Sequence, residues 1–178
     1  MNDLIQMCAT GKYDTDKYYG HPWQTHSYIE NFYNENFKPI KFTASNVLEI
    51  GTYTGGSILL WRDYFPNANI LALDIASCSR YSNALENQER IKEIIGDAYS
   101  DGIVSLIPDN SLDIIVDDGP HSLHSFILFL QKYIPKLKKE NSILVIEDIS
   151  DSSWVNILMG YIPEDLKSKT KTVRLLRL

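Results

Sequence analysis

The sequence predicts a doubly wound α/β fold, a mostly parallel sheet with helices on both faces. Three observations predict it. Five short β-branched or Leu-rich runs recur along the chain, amphipathic stretches separate them, and an acidic residue closes one strand-like run after another.

The elements follow in order. Residues 1–40, dense in Tyr, Trp and His between Tyr13 and Tyr33, read as a helical cap or lid on a core spanning 41–178, the whole forming a single domain. The strand-like runs are 46–50 (NVLEI), 69–75 (NILALDI), 91–95 (IKEII), 112–116 (LDIIV) and 142–147 (SILVIE), each bounded by turn residues. Amphipathic stretches lie between them at 57–64, 81–89, 101–106 and 122–137, the last carrying Phe126, Phe129, Leu130 and Tyr133. The C-terminal TVRLLRL reads as a sixth strand without the antiparallel seventh. This predicts an exposed edge or a piece of a longer protein.

Composition removes several function classes. The 178 residues, 44% of them hydrophobic, support one compact core. A net charge of −6 with no Lys/Arg block lacks the basic footprint that nucleic acid needs. The N-terminus has no basic stretch followed by an apolar one, and no apolar run approaches the ~18 residues of a membrane span. These features predict a soluble, cytoplasmic protein without a membrane partner. Cys8 and Cys78 stand alone, without metal-binding or redox spacing.

In such sheets ligands sit at the carboxyl ends of the strands, where Glu49, Asp74, Asp97, Asp117, Asp118, Glu147 and Asp148 fall. The loop EIGTYTGGS narrows the ligand. Tyr53 stands where a dinucleotide fingerprint requires its second glycine, and no Gly-Lys-Ser/Thr follows for a phosphate loop. Glu49 would repel phosphate but suits a cationic amine and sulfonium, while Gly51, Gly55 and Gly56 let the backbone close in. Asp74 is placed to accept ribose hydroxyls, with Asp97 and Ala98 flanking an adenine edge. S-adenosylmethionine fits these features, and Thr52, Tyr53, Ser57, Ile75 and Asp117 complete the candidate cofactor set.

EIGTYTGGSILLWRDYFP, LALDI, IGDAYS, LDIIVDDGPH, LVIEDISDSSW and TDKYYGHPWQTHSYIENFY together resemble the metal-dependent sugar O-methyltransferases, the mycinamicin and related macrolide deoxysugar enzymes among them. The resemblance runs from Tyr13 to Trp154, and VDDGPH with VIED is its most specific part. It implies a Rossmann-like class I methyltransferase fold, S-adenosylmethionine as methyl donor and Mg2+ at the acceptor's hydroxyls. It also implies Asp118, Glu147 and Asp148 as metal ligands and His121 as general base. The macrolide enzymes carry an additional N-terminal domain with no expected counterpart within these 178 residues, so their assembly is not expected to transfer. A homo-oligomer and a place in a larger multidomain protein both stay open.

The chemistry is consistent with those residues. A sugar hydroxyl is a poor nucleophile at neutral pH; a divalent cation lowers its pKa, and oxygen-only ligands select a hard ion such as magnesium over zinc. Beyond the Gly119-Pro120 turn, His121 is placed to accept the proton. Asp117 reads more naturally as a cap or support than as a ligand, and His124 as a surface residue. The resemblance favours Asp16, Lys17, His26 and Tyr28 near cofactor or acceptor; Trp154 stacks on a sugar or packs. The acceptor would be a sugar-bearing small molecule or glycan. The alternatives are a catechol-type methyltransferase with the same metal logic, and a cofactor-binding domain of a larger glycan-modifying protein.

Overall fold

The computed structural model describes residues 3–18 and 27–170. Five parallel strands, β1 (Asn46–Ile50), β2 (Asn69–Asp74), β3 (Ile91–Ile95), β4 (Ile114–Asp117) and β5 (Ile143–Ile146), form one sheet in the order β3-β2-β1-β4-β5. The order reverses direction at β1, which makes the β1/β4 crevice the topological switch point where such sheets bind ligands. TVRLLRL and His26 lie outside the described residues.

Alternation along the strands sorts the two cores. Val47, Ile70, Ala72, Ile114 and Val116 face a layer made by α1 (Leu4–Cys8), a π-helical turn (Ile29–Tyr33) continuing into α2 (Asn34–Phe37), and α3 (Gly56–Tyr64). In that layer Leu4, Ile29, Tyr33 and Phe37 are fully buried together with Trp61, so the N-terminal segment shares its core with the sheet. Leu48, Ile50, Leu73 and Ile115 face the opposite layer, α4 (Asp101–Val104) and α5 (Leu123–Tyr133). Two further short helices, α6 (Trp154–Met159) and α7 (Glu164–Lys167), follow β5. No helix among the described residues is long and apolar enough to cross a membrane.

Two expectations are corrected. Residues 81–89 form turns after a short 3-10 turn at Cys78–Arg80. There the Ser82 hydroxyl donates to the Thr54 carbonyl and accepts from the Ala84 amide, and Asn87 and Arg90 take left-handed backbone, all at the expense of helical bonding. The last long helix stops at Tyr133, and Pro135 sits in a 3-10 turn, Ile134–Lys136, because proline supplies no amide to continue it.

The sheet's opposite end has its own acid. Asp113 Oδ2 accepts from the Ser45 amide (2.8 Å), the Asn46 amide (2.9 Å) and the Ser45 hydroxyl (3.0 Å), and Lys138 donates to both oxygens at 2.9 Å. Burial alone would raise its pKa, but Lys138 and the amides outweigh that and hold it below the ordinary carboxylate value. Asp113→Ala should cost about 2–3 kcal/mol, roughly 5–10 °C in Tm for a chain of this size. A depressed folded-state pKa gives stability that is present above the ordinary carboxylate range and lost as pH falls through the folded value. The Tm gap between wild type and variant should therefore be full at pH 7 and close under acid, as thermal melts across pH would read.

Candidate active site

Register builds the site. Ile50, Asp117 and Ile146 lie opposite one another across β1, β4 and β5, so the residues that follow them emerge at one edge. The Gly51 amide donates to Leu73 O, the Asp118 amide to Ile50 O and the Glu147 amide to Asp117 O, carrying the pairing one residue beyond the strands. Gly51 has φ +87°, and a Cβ on it would lie 2.0 Å from the Asp118 carbonyl oxygen. Only glycine lets the β1 loop turn this close to the β4 end.

Asp74, at the end of β2, orders the glycine loop. Its Oδ2 accepts from the Thr52 amide (2.7 Å), the Tyr53 amide (3.3 Å) and the Thr52 hydroxyl (3.4 Å), and its Oδ1 from the Ala76 amide (3.1 Å). Tyr53, Ile75 and Tyr81 stand exposed around it, with the two tyrosine rings 4.8 Å apart. Asp97 is exposed and caps the Tyr99 amide; Ala98 is buried, and its carbonyl accepts from the Tyr133 hydroxyl.

Strand parity decides where the remaining acids point. Glu49 lies on the same face as Val47 and is completely buried against α3, accepting from the Ser57 hydroxyl (2.6 Å) and the Trp61 indole. Alternation aims Glu49 at the helix, where both its oxygens and the Ser57 hydroxyl are engaged. Asp117 faces the other layer. Its Oδ1 accepts from the Tyr99 hydroxyl (2.8 Å) and the Gly119 amide (3.1 Å); its Oδ2 is buried without a hydrogen-bond partner among the described residues. Burial pushes this carboxyl up to about 6.

Asp118 and Glu147 meet Lys17 of the N-terminal segment. The ammonium is 2.5 Å from Asp118 Oδ2, 2.6 Å from Glu147 Oε2 and 3.7 Å from Glu49 Oε1, with only 1% of the lysine side chain exposed. The Tyr33 hydroxyl donates to Glu147 Oε1. Burial alone would lower the Lys17 pKa, but Glu147, Asp118 and Glu49 outweigh it and keep the group charged. Lys17 and His121 likewise overcome burial at Asp118 and lower its pKa.

Toward solvent, Asp118, His121 and Asp148 form a second cluster, each offering one ligand atom within 4.8 Å of the others. His121 Nε2 lies 3.0 Å from Asp118 Oδ1 and 3.8 Å from Asp148 Oδ2. Its hydrogen bond to Asp118 raises the imidazole pKa against the effect of partial burial. The Tyr28 hydroxyl donates to Asp148 Oδ1 (2.5 Å) and accepts from the Asp148 amide (3.1 Å). His121 (φ +53°) and Asp148 (φ +54°) both hold left-handed backbone, at a cost of about 1–3 kcal/mol each. Glu147, expected as the third ligand, stands outside this cluster, one carboxylate deeper.

Asp16 and His124 are exposed, and Trp154 packs edge-on to Phe126, ring centroids 6.3 Å apart. The sequence reading assigned no role to Tyr33 and Tyr99, which hold Glu147 and Asp117, although both lie inside stretches that carry the resemblance, TDKYYGHPWQTHSYIENFY and IGDAYS.

No protein-family model matches the chain. It is similar to an 8-demethyl-8-α-L-rhamnosyl tetracenomycin-C 2'-O-methyltransferase of Streptomyces olivaceus, 27% identical over 141 residues that cover 74% of this chain and 35% of the relative. It is also similar to a mycinamicin VI 2''-O-methyltransferase of Micromonospora griseorubida, 28% identical over 68% of this chain and 31% of the relative. The chain spans 31% to 40% of the length of the curated relatives it matches. Among solved structures, the MycE methyltransferase of mycinamycin biosynthesis, in complex with Mg and SAH, matches with a TM-score of 0.55 and 29% identity, over 72% of this chain and 34% of that one. A SAM-dependent methyltransferase from Archaeoglobus fulgidus, 16% identical, shares the fold with a TM-score of 0.54 over 71% of this chain and 64% of that one. The fold is Rossmann-like, of the class I methyltransferase type, and its relatives are sugar O-methyltransferases.

Proposed function

We propose that the chain is the catalytic unit of an S-adenosylmethionine- and Mg2+-dependent O-methyltransferase that acts on a sugar hydroxyl of a glycosylated natural product or glycan. One observation carries this reading: the Asp118–His121–Asp148 cluster stands beside the Asp74-ordered glycine loop at one sheet edge. A base and hard oxygen donors beside that loop would suit a nucleoside methyl donor and a metal-bound hydroxyl.

The crevice residues Gly51, Thr52, Tyr53, Gly55, Asp74, Ile75, Asp97 and Ala98 would hold the nucleoside, with Glu49, Ser57 and Asp117 buried behind them as supports. Bound there, the donor supplies a methyl group on sulfonium. The donor set also fits a hard divalent ion: Asp118 and Asp148 turn oxygens toward the open side, and Glu147 would join them through lone pairs left by Lys17 and Tyr33. Such an ion supplies Lewis acidity that favours deprotonation of a sugar hydroxyl. His121 then takes the proton at an imidazole nitrogen, with Asp118 orienting the ring. A phenolic diol would satisfy the same groups, so acceptor identity is what distinguishes a catechol-type enzyme.

Calorimetry tests the reading. The protein should bind S-adenosylhomocysteine and not NAD, and NAD binding with no response to the homocysteine nucleoside would overturn it. Asp74→Ala should weaken S-adenosylhomocysteine about 10–100-fold, the scale of losing hydrogen bonds to a charged group, and leave Mn2+ affinity unchanged. Equal loss of both would contradict separate nucleoside and metal ends.

A further inference from the structure

Glu49 of β1, Asp118 after β4 and Glu147 after β5 converge on the sheet face where the N-terminal segment docks, and among the described residues the side chain that meets all three is Lys17. Three carboxylates beside a rim that already carries Asp148 make a concentration of negative charge that burial cannot tolerate without a partner. Lys17 is also anchored from both sides along the backbone: its amide lies 3.3 Å from the Thr15 hydroxyl, and its carbonyl accepts from the Ile29 amide at 2.9 Å. The ammonium is thus delivered by a fixed strap and not by a mobile surface side chain.

We propose that Lys17 is a positioning residue, an internal cation that holds Asp118 and Glu147 in place from behind so that the acidic rim stays assembled before a divalent ion arrives. The inference rests on the metal reading of that rim. Lys17 takes Asp118 Oδ2 and leaves Oδ1 to the open cluster with His121 and Asp148, and it fixes Glu147 against Tyr33. Ammonium and metal thus neutralise one set of carboxylates from opposite sides. Each limits how much the other is needed for folding.

That reciprocity separates the role from ordinary packing. In Lys17→Met the buried carboxylates lose their counter-charge, and the divalent ion becomes the main charge able to replace it. Thermal unfolding of the full chain in EDTA should fall by about 10 °C. Saturating Mn2+ should restore at least half of that, a larger Mn2+-induced shift than in wild type, because ligand binding stabilises the state that needs it. A Tm lowered equally with and without Mn2+, or an unchanged Tm, would overturn the proposal. Should Lys17→Met not fold in EDTA, folding in Mn2+ supports it. Should it fold in neither, Lys17→Met/Glu147→Gln decides, since removing both charges should restore folding and cancel the excess Mn2+ response; a double variant that still fails to fold counts against the charge role. Mn2+ binding to wild type, read by electron paramagnetic resonance, stands apart: its absence would sink the metal reading itself, whereas its presence with equal shifts would remove only the role of Lys17.

Discussion

His121→Ala should lower the methyl-transfer rate by about 10²–10⁴-fold, the usual scale for losing a general base, with S-adenosylhomocysteine and Mn2+ affinity changed little. The expectation follows from where the ring sits. His121 is part-exposed at the open rim, held by Asp118 at 3.0 Å, directly beyond the Gly119-Pro120 turn. Wild-type turnover should also fall on the acid side as the imidazole takes up a proton, a limb the variant should lack. A merely structural His121 would instead lower Tm and the amount of folded protein at a normal rate per folded molecule. Unchanged turnover in folded His121→Ala, at saturating metal and acceptor, would sink the assignment.

Chelation should be as damaging. Treatment with EDTA should reduce transfer by about 10³-fold or more, the several kcal/mol that Lewis-acid assistance contributes, and added Mg2+ should restore it. Asp118→Asn should reproduce the loss and resist rescue by Mg2+, because Asp118 touches both Lys17 and His121 while lying in the metal-ligand cluster. S-adenosylhomocysteine affinity should hold in both cases, since Asp74 and the glycine loop stand at different strand ends. Full transfer after exhaustive chelation, with metal content checked by atomic absorption, would make these carboxylates structural.

The sequence by itself determined the fold class and the sheet edge at which the candidate site stands. Short apolar runs closed by acids specify parallel strands whose carboxyl ends share one rim, and local turn chemistry is enough to read them: GTYTG, between β1 and α3, is a tight loop, and Gly119-Pro120 turns the chain. Asp74, Asp118, His121 and Asp148 were legible for that reason. Only the tertiary structure decided which way each acid points and what meets it. Strand parity turns Glu49 into α3 and sets Asp117 against Tyr99, although the same alternation, visible in Val47 and Leu48, was available to signal it. The meeting of Lys17 and Tyr33 with Glu147 has no local signal, since 130 and 114 residues of chain separate the partners. Their contact arises from the N-terminal segment burying Ile29, Tyr33 and Phe37 against Trp61, a packing result that carries the one lysine strap onto the carboxylates it neutralises.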